Sequence, residues 1–76
     1  MIDAAQVRMA RAGAKLSVKE LAALSGVADS TILRFETGKG SILATNLAHI
    51  QRALEEKGVL FIPADASGGP GVRIKI

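Results

Sequence analysis

The pattern of apolar and polar residues divides the chain into a longer part with helical spacing and a short final part with strand spacing. Up to Gly58, apolar residues recur every three or four positions, the period of one face of an α-helix. After it, residues 59–62 form a short apolar run with β-branched and aromatic members, and residues 72–76 alternate apolar with basic. The pattern predicts four helices, the second over residues 18–24, followed by two strands.

Polar residues and glycines indicate where these helices begin and end. Asp3 with Gln6, and Ser17 with Glu20, have the spacing of a capping box, in which side chain and backbone of the first helical turn bond reciprocally. Residues 63–71 are rich in Gly, Pro, Ser and Asp, which predicts a loop. The expected starts of the other two helices are Asp29 and the pair Thr45-Asn46, and the expected helix ends include Gly13, Gly38 and Gly58.

Length and composition limit how such a chain can be stabilised. Its 76 residues make one small domain, of a size that buries only about 60% of the surface of the unfolded chain. The absence of cysteine and the single histidine, His49, exclude disulfides and Cys/His zinc sites. Because 49% of the residues are hydrophobic but only 3% are aromatic, we expect an aliphatic core. Stability would come from close packing of that core, from self-association, or from both.

Charge and hydropathy narrow the class of protein. Ten basic and seven acidic residues give a net charge of +3, which permits a polyanionic partner. No apolar run approaches the roughly 20 residues that span a bilayer, and the N-terminus lacks the pattern of a signal peptide, so we expect a cytoplasmic protein without a membrane partner. The sequence shows no metal-ligand cluster, catalytic triad or cofactor loop, so we expect neither an enzyme nor a cofactor.

Residues 16–39 have the organisation of two short helices joined by a tight turn. The turn is Ser25-Gly26-Val27, and its glycine can adopt a positive φ without the steric cost of a side chain. In this arrangement the second helix stands across the first and can enter the major groove of DNA.

The residues of this segment resemble the Xre/Cro-type helix-turn-helix of phage repressors and many bacterial regulators. The resemblance covers about residues 6–54 and implies a sequence-specific regulator that binds double-stranded DNA. The tail also resembles that of a small bacterial subfamily, which ends in a Gly-Val-x-Phe-Ile-Pro segment and a short Val-Arg-x-basic strand. The matching positions of the main pattern are Arg11, Leu16, Ser17, Glu20, Leu21, Ala22, Gly26, Val27, Ile32, Phe35, Glu36 and Gly38.

The resemblance also implies roles for individual residues within and around this pattern. Arg11 and Glu36 would form a structural salt bridge, and Arg34 would be the best candidate for two bonds to guanine. The base-facing residues would be Asp29, Ser30, Leu33 and Arg34. Phosphate contacts would come from Ser17, Lys19, Thr37, Lys39, Gly40 and Ser41. Core positions would be Leu21, Ala22, Leu24, Val27, Ile32 and Phe35.

Three residues are unusual for the family, namely Val18, Ala28 and Asp29. Asp29 would repel phosphate unless it accepts a bond from cytosine N4. Alternatively, it favours the positive end of its helix, because Ala28 stands where the family usually has a Ser or Thr cap. Val18 stands where many members have Gln, and it could touch a thymine methyl group instead.

The tail predicts self-association. An isolated two-stranded hairpin is marginally stable, and Val72, Ile74 and Ile76 share one face that needs a cover. We expect residues 1–57 to form the DNA-binding domain and residues 58–76 to form a dimerisation element that pairs with its copy in a homodimer. Alternatively, the hairpin folds back onto the fourth helix of its own chain.

Two functions of different classes remain open at this point. The favoured one is a dimeric repressor or autoregulator of transcription that reads the major groove. The alternative is a protein-interaction module, antitoxin-like or bound to an unidentified partner, that keeps the fold without the DNA role. Asp29 and Val18 favour the alternative, whereas Arg34 and Lys39 favour DNA binding.

Overall fold

Four helices and a C-terminal hairpin make up the fold, in a computed structural model that describes residues 1–75. The helices are α1 (Ala4–Gly13), α2 (Val18–Ser25), α3 (Asp29–Glu36) and α4 (Ala44–Glu56), and the strands are β1 (Val59–Ile62) and β2 (Gly71–Ile74). The predicted mainly α architecture with a β-hairpin tail is therefore confirmed. Ile76, the end of the predicted second strand, lies outside the described residues.

Capping boxes start the first two helices, as predicted. The Asp3 carboxylate accepts the Gln6 N–H at 2.8 Å, and the Gln6 side-chain oxygen accepts the Asp3 N–H at 3.0 Å. Ser17 and Glu20 make the same reciprocal pair at 3.0 and 2.8 Å. Because each box satisfies two N–H groups that the helix leaves without internal partners, α1 and α2 are fixed at their first turns.

The other two helices begin without a side-chain cap. Ala28 precedes α3 and Leu43 precedes α4, and neither side chain can accept a hydrogen bond. The prediction that Thr45-Asn46 caps the fourth helix is wrong, because both residues lie inside its first turn. The helix begins earlier because the burial of Leu47 and Ile50 supports its first turn, and such packing supplies most of the stability of a short helix.

An aliphatic core lies between the helices and the hairpin. Leu24, expected in this core, is 48% exposed instead, since it lies in the last turn of α2 on the solvent side. None of the helices in residues 1–75 is long and apolar enough to cross a membrane. The buried apolar side chains are Ile2, Val7, Ala10, Leu21, Val27, Ile32, Leu47, Ile50, Ala53, Leu54 and Val59.

The hairpin folds back onto the helices of its own chain. Its strands pair antiparallel, with Val59 opposite Ile74. Val72 and Ile74 are half-buried and pack against the core, and the Ile74 side chain lies directly against Gly13 of α1. The fold-back alternative is therefore right for this chain, but the hairpin packs on α1 as well as on α4, with β2 against α1 and β1 against α4. Dimerisation through the tail stays a prediction, but Val72 and Ile74, the residues expected to make it, are covered by their own chain. A dimer interface would therefore use the outer face of the hairpin or the strand edges.

A buried glutamine fastens the hairpin to α1. The Gln6 side-chain nitrogen donates to the backbone carbonyls of Ile62, at 3.2 Å, and Gly71, at 3.1 Å, which close the outer end of the two strands. Gln6 is 3% exposed, so these bonds form away from water. We call these two bonds the hairpin clamp. The same side chain therefore caps α1 and holds the tail.

Candidate nucleic-acid interface

The helix-turn-helix segment presents one face of α3 to solvent. Gly26 ends α2 with a φ of 73°, in the left-handed region that favours glycine, and the short turn places α3 against α2. Ile32 is fully buried beneath α3. The four residues predicted to face bases, Asp29, Ser30, Leu33 and Arg34, are all exposed on this helix.

An ion pair holds the far end of α3 against α1. The Arg11 guanidinium donates from Nε and Nη2 to the two carboxylate oxygens of Glu36, each at 2.8 Å, and from Nη1 to the Leu16 carbonyl at 3.1 Å. The hydrogen bond to Glu36 raises the pKa of Arg11 despite its partial burial. Glu36 is 2% exposed, so Arg11 replaces the water contacts that its carboxylate gives up on burial. We call the Arg11–Glu36 ion pair the motif clamp.

A second arginine, not assigned from the sequence, supports the same place. Arg8 donates from Nη1 to the backbone carbonyl of Glu36, one of the last carbonyls of α3. Helices leave these carbonyls without internal partners, and a cation there also interacts favourably with the helix dipole. The sequence signal is weak, because Arg8 is one turn before Arg11 on α1 and its partner is backbone. Two arginines of α1 therefore fix the orientation of α3.

The start of α2 lies beside the start of α3. Val18 is half-buried against the core, while Ser17 and Lys19 are exposed on either side of it. The bonds from the Ser17 backbone and hydroxyl lower the pKa of the Glu20 carboxyl. Because the Ser17 hydroxyl accepts the Glu20 N–H and also bonds the Glu20 carboxylate, a phosphate contact would require its hydrogen to turn away from Glu20.

The loop after α3 carries the remaining predicted phosphate contacts. Gly38 has a φ of 72°, and the Lys39 N–H turns back to the Arg34 carbonyl at 2.9 Å, which ends the helix. Thr37 donates its hydroxyl hydrogen to the Leu33 carbonyl at 2.9 Å, so its side chain is engaged in the helix end and is the least available of the set. Lys39, Gly40 and Ser41 are exposed.

Arg34 extends from α3 over this loop. A Cβ atom on Gly40 would lie 3.2 Å from the nearer Arg34 side-chain nitrogen, so the guanidinium rests beside a position that has no side chain. The structure thereby brings Arg34 and Lys39 to one end of the exposed face, while Lys19 lies at the other end. Asp29 is the exposed carboxylate among them.

The geometry of α2 and α3 is that of a DNA-binding helix-turn-helix. A tight turn at a glycine places one short helix across another. The second helix is exposed along one face and has cations on both sides, and helices arranged in this way enter the major groove of DNA. Residues 7–59 match the sequence model of the helix-turn-helix family, of the Xre/Cro-like type, and the chain belongs to this family. It is a family of DNA-binding regulators, not of enzymes. No curated protein matches the chain.

Proposed function

We propose that this chain is a sequence-specific transcriptional repressor that binds double-stranded DNA as a homodimer and reads the major groove with α3. The observation that carries the proposal is the exposed α3 face, with Ser30, Leu33 and Arg34, held at a fixed angle by the motif clamp. A recognition helix must be rigid, since bonds to base edges select a sequence only when their donors are held in place.

Arg34 is the main base-reading residue in this proposal. Its guanidinium can donate two bonds to O6 and N7 of guanine, the commonest specific contact in the major groove. Its position beside Gly40 supports the role, because the missing side chain leaves room for the guanidinium to turn toward a base. Ser30, one turn earlier on α3, would donate to a base edge with less selectivity.

Phosphate contacts would lie on both sides of α3. Ser17 and Lys19 at the start of α2 would bind one stretch of backbone, and Lys39, Gly40 and Ser41 would bind another. Such contacts fix the register of α3 on the duplex without reading its sequence. Each lysine that binds phosphate releases counterions, so affinity should fall steeply as the salt concentration rises.

Homodimerisation would use the tail. We assign residues 1–57 to DNA binding and residues 58–76 to dimerisation. Leu60 of β1 supports this assignment, because it is 49% exposed on the outer face, opposite Arg73, where a second hairpin could cover it. Two copies related by a two-fold axis would place two α3 helices in successive major grooves, roughly 34 to 36 Å apart. Repression would follow from occupying a promoter.

Selection of bound duplexes from a random pool tests the proposal. We expect an enriched sequence made of two half-sites, one helical turn apart. The logarithm of the binding constant for this duplex should fall linearly with the logarithm of the salt concentration. Arg34→Ala should lose about 1–3 kcal/mol of discrimination at one base pair, whereas Lys39→Ala should weaken binding to all duplexes alike. Enrichment that survives Arg34→Ala unchanged would refute the assignment of Arg34.

A protein-binding role is the second candidate, favoured by the carboxylate of Asp29 and the exposed Leu33 on the same face. The salt titration separates the two functions. A chain that keeps the fold but shows no salt-dependent binding to any duplex would be a protein-interaction module.

A further inference from the structure

A mostly apolar notch lies on the proposed DNA-facing surface, between the start of α2 and the first turns of α3. It encloses about 350 Å³ and is lined by Val18, Lys19, Asp29, Ser30 and Leu33. Leu33 is 53% exposed and Val18 is half-buried, so the two apolar side chains form its walls. Of these residues, Lys19 belongs to the phosphate contacts proposed above and Ser30 to the base contacts, whereas the apolar walls have no role yet.

An apolar wall is unusual on a surface that meets a polyanion. An exposed leucine is not favourable in water, so a contact that removes it from water stabilises the complex. In the major groove of DNA, the apolar group that base edges present is the methyl on C5 of thymine. The lining carries one cation, Lys19, and one carboxylate, Asp29, and Arg34 directly follows Leu33 along α3.

The carboxylate of Asp29 at the rim restricts which base can lie beside the methyl group. A carboxylate accepts hydrogen bonds only, so it repels phosphate and the acceptor atoms O4, O6 and N7. The donors in the major groove are the exocyclic amines, N4 of cytosine and N6 of adenine. A methyl group next to an amine is therefore the combination that the notch and Asp29 match together.

We propose that this notch recognises a pyrimidine C5-methyl group in the major groove, with Asp29 accepting a bond from an exocyclic amine on the same or the adjacent base. The inference rests on the proposed binding of duplex DNA by α3. The methyl group has two sources, thymine and 5-methylcytosine. A 5-methylcytosine carries both the methyl and the amine on one base.

The test compares duplexes that differ by single methyl groups, using the full chain and the duplex selected from the random pool. Replacing each thymine by deoxyuridine removes only a methyl group, and replacing each cytosine by 5-methylcytosine adds one. We expect one position per half-site at which the methylated base binds about fourfold more tightly, the effect of one buried methyl-sized group. The thymine and cytosine series identify which source is used.

Variants test whether the notch causes the dependence of binding on the C5-methyl group. Leu33→Ala should abolish the methyl dependence while salt-dependent binding persists, and Asp29→Asn should relax the preference for an amine-bearing base. Leu24→Ala is the matched control, because Leu24 is 48% exposed on α2 and does not line the notch. Its methyl dependence should equal that of the parent.

The failures of the two proposals are distinguishable. Sequence-selective binding with no methyl dependence in either series would overturn the notch inference alone. Methyl dependence that persists unchanged in Leu33→Ala would overturn it as well. Absence of salt-dependent binding to any duplex would overturn both the notch inference and the proposed function.

Discussion

Helix α1 holds two different parts of the molecule in two different ways. Through the motif clamp it fixes α3, using a charged pair in which both oxygens of Glu36 are bonded. Through the hairpin clamp it fixes the tail, using the neutral amide of Gln6 and two backbone carbonyls. If one partner of a buried ion pair is removed, the other charge stays buried without compensation, which destabilises the fold strongly. Removal of a neutral donor leaves only unpaired carbonyl groups, which costs less free energy. We therefore expect the fold to lose more stability when the contact that holds α3 is broken than when the contact that holds the tail is broken.

Breaking the motif clamp should have the largest effect on stability. Arg11→Met leaves the Glu36 carboxylate at 2% exposure without its partner, and we expect a loss of about 3 kcal/mol in the free energy of unfolding. Urea denaturation measures the loss. Arg52→Met, at an exposed site on α4, is the control and should change stability by less than about 0.5 kcal/mol. A loss below about 1 kcal/mol in Arg11→Met would contradict the stringent role of the pair.

Removing the hairpin clamp should have the next largest effect. Gln6→Leu leaves the carbonyls of Ile62 and Gly71 without this donor, and we expect a loss of about 2 kcal/mol. Asp3→Ala is the matched control, because it removes the carboxylate half of the capping box and keeps the clamp, and it should cost about 1 kcal/mol.

A local measurement separates the tail from the head in these two variants. The Lys75 amide donates to the Gly58 carbonyl at 2.8 Å, beside the last pair of the hairpin. Its hydrogen exchange should accelerate in Gln6→Leu more than in Asp3→Ala. Equal acceleration in both would show that Gln6 acts on the tail only through the cap.

The contrast also explains what could be predicted from the sequence. Helix periods, capping boxes and the alternating tail depend on residues near one another along the chain, and the sequence pattern indicated these elements correctly. The start of α4 depends on how Leu47 and Ile50 pack. The polar pair Thr45-Asn46 therefore predicts a start that is too late, because the helix begins at Ala44. The motif clamp joins residues of opposite charge in a recognisable pattern and was foreseen from the family resemblance.

The hairpin clamp could not be found in the same way. Its acceptors are backbone carbonyls, which every residue possesses, and Gln6 already had an explanation as the partner of Asp3. Arg8 was missed for the same reason, since it bonds the backbone of Glu36. On the proposed interface, the identity of the exposed residues followed from the motif, but the notch between Val18 and Leu33 requires the spacing of α2 and α3.

The two ends of α3 differ in how they are held, so a change at its N-terminal end should stabilise the fold. The motif clamp holds the C-terminal end of this helix, whereas Ala28 leaves its N-terminal end without a side-chain cap. Ala28→Ser should add about 1 kcal/mol to the free energy of unfolding, because serine can accept an N–H of the first turn. Ala23→Ser, exposed within α2, should give no gain, since serine is unfavourable inside a helix. Equal effects of the two changes, in thermal or urea unfolding, would contradict this assignment.

The smallest expected effect concerns the turn after α1, four residues beyond Arg11 of the motif clamp. Lys15 has a φ of 60°, and the Leu16 N–H turns back to the Arg11 carbonyl at 3.0 Å, an arrangement that glycine usually completes. A side chain in this left-handed conformation costs roughly 1–2 kcal/mol, part of which glycine loses again through its greater freedom in the unfolded chain. Lys15→Gly should therefore stabilise the fold by about 0.5 kcal/mol.

Lys57→Gly is the control, because Lys57 has a φ of −91° and gains nothing from glycine, so this change should destabilise instead. If both changes destabilise to the same degree in urea unfolding, the left-handed turn at Lys15 carries no strain, and the end of α1 is held by the Arg11 contacts alone.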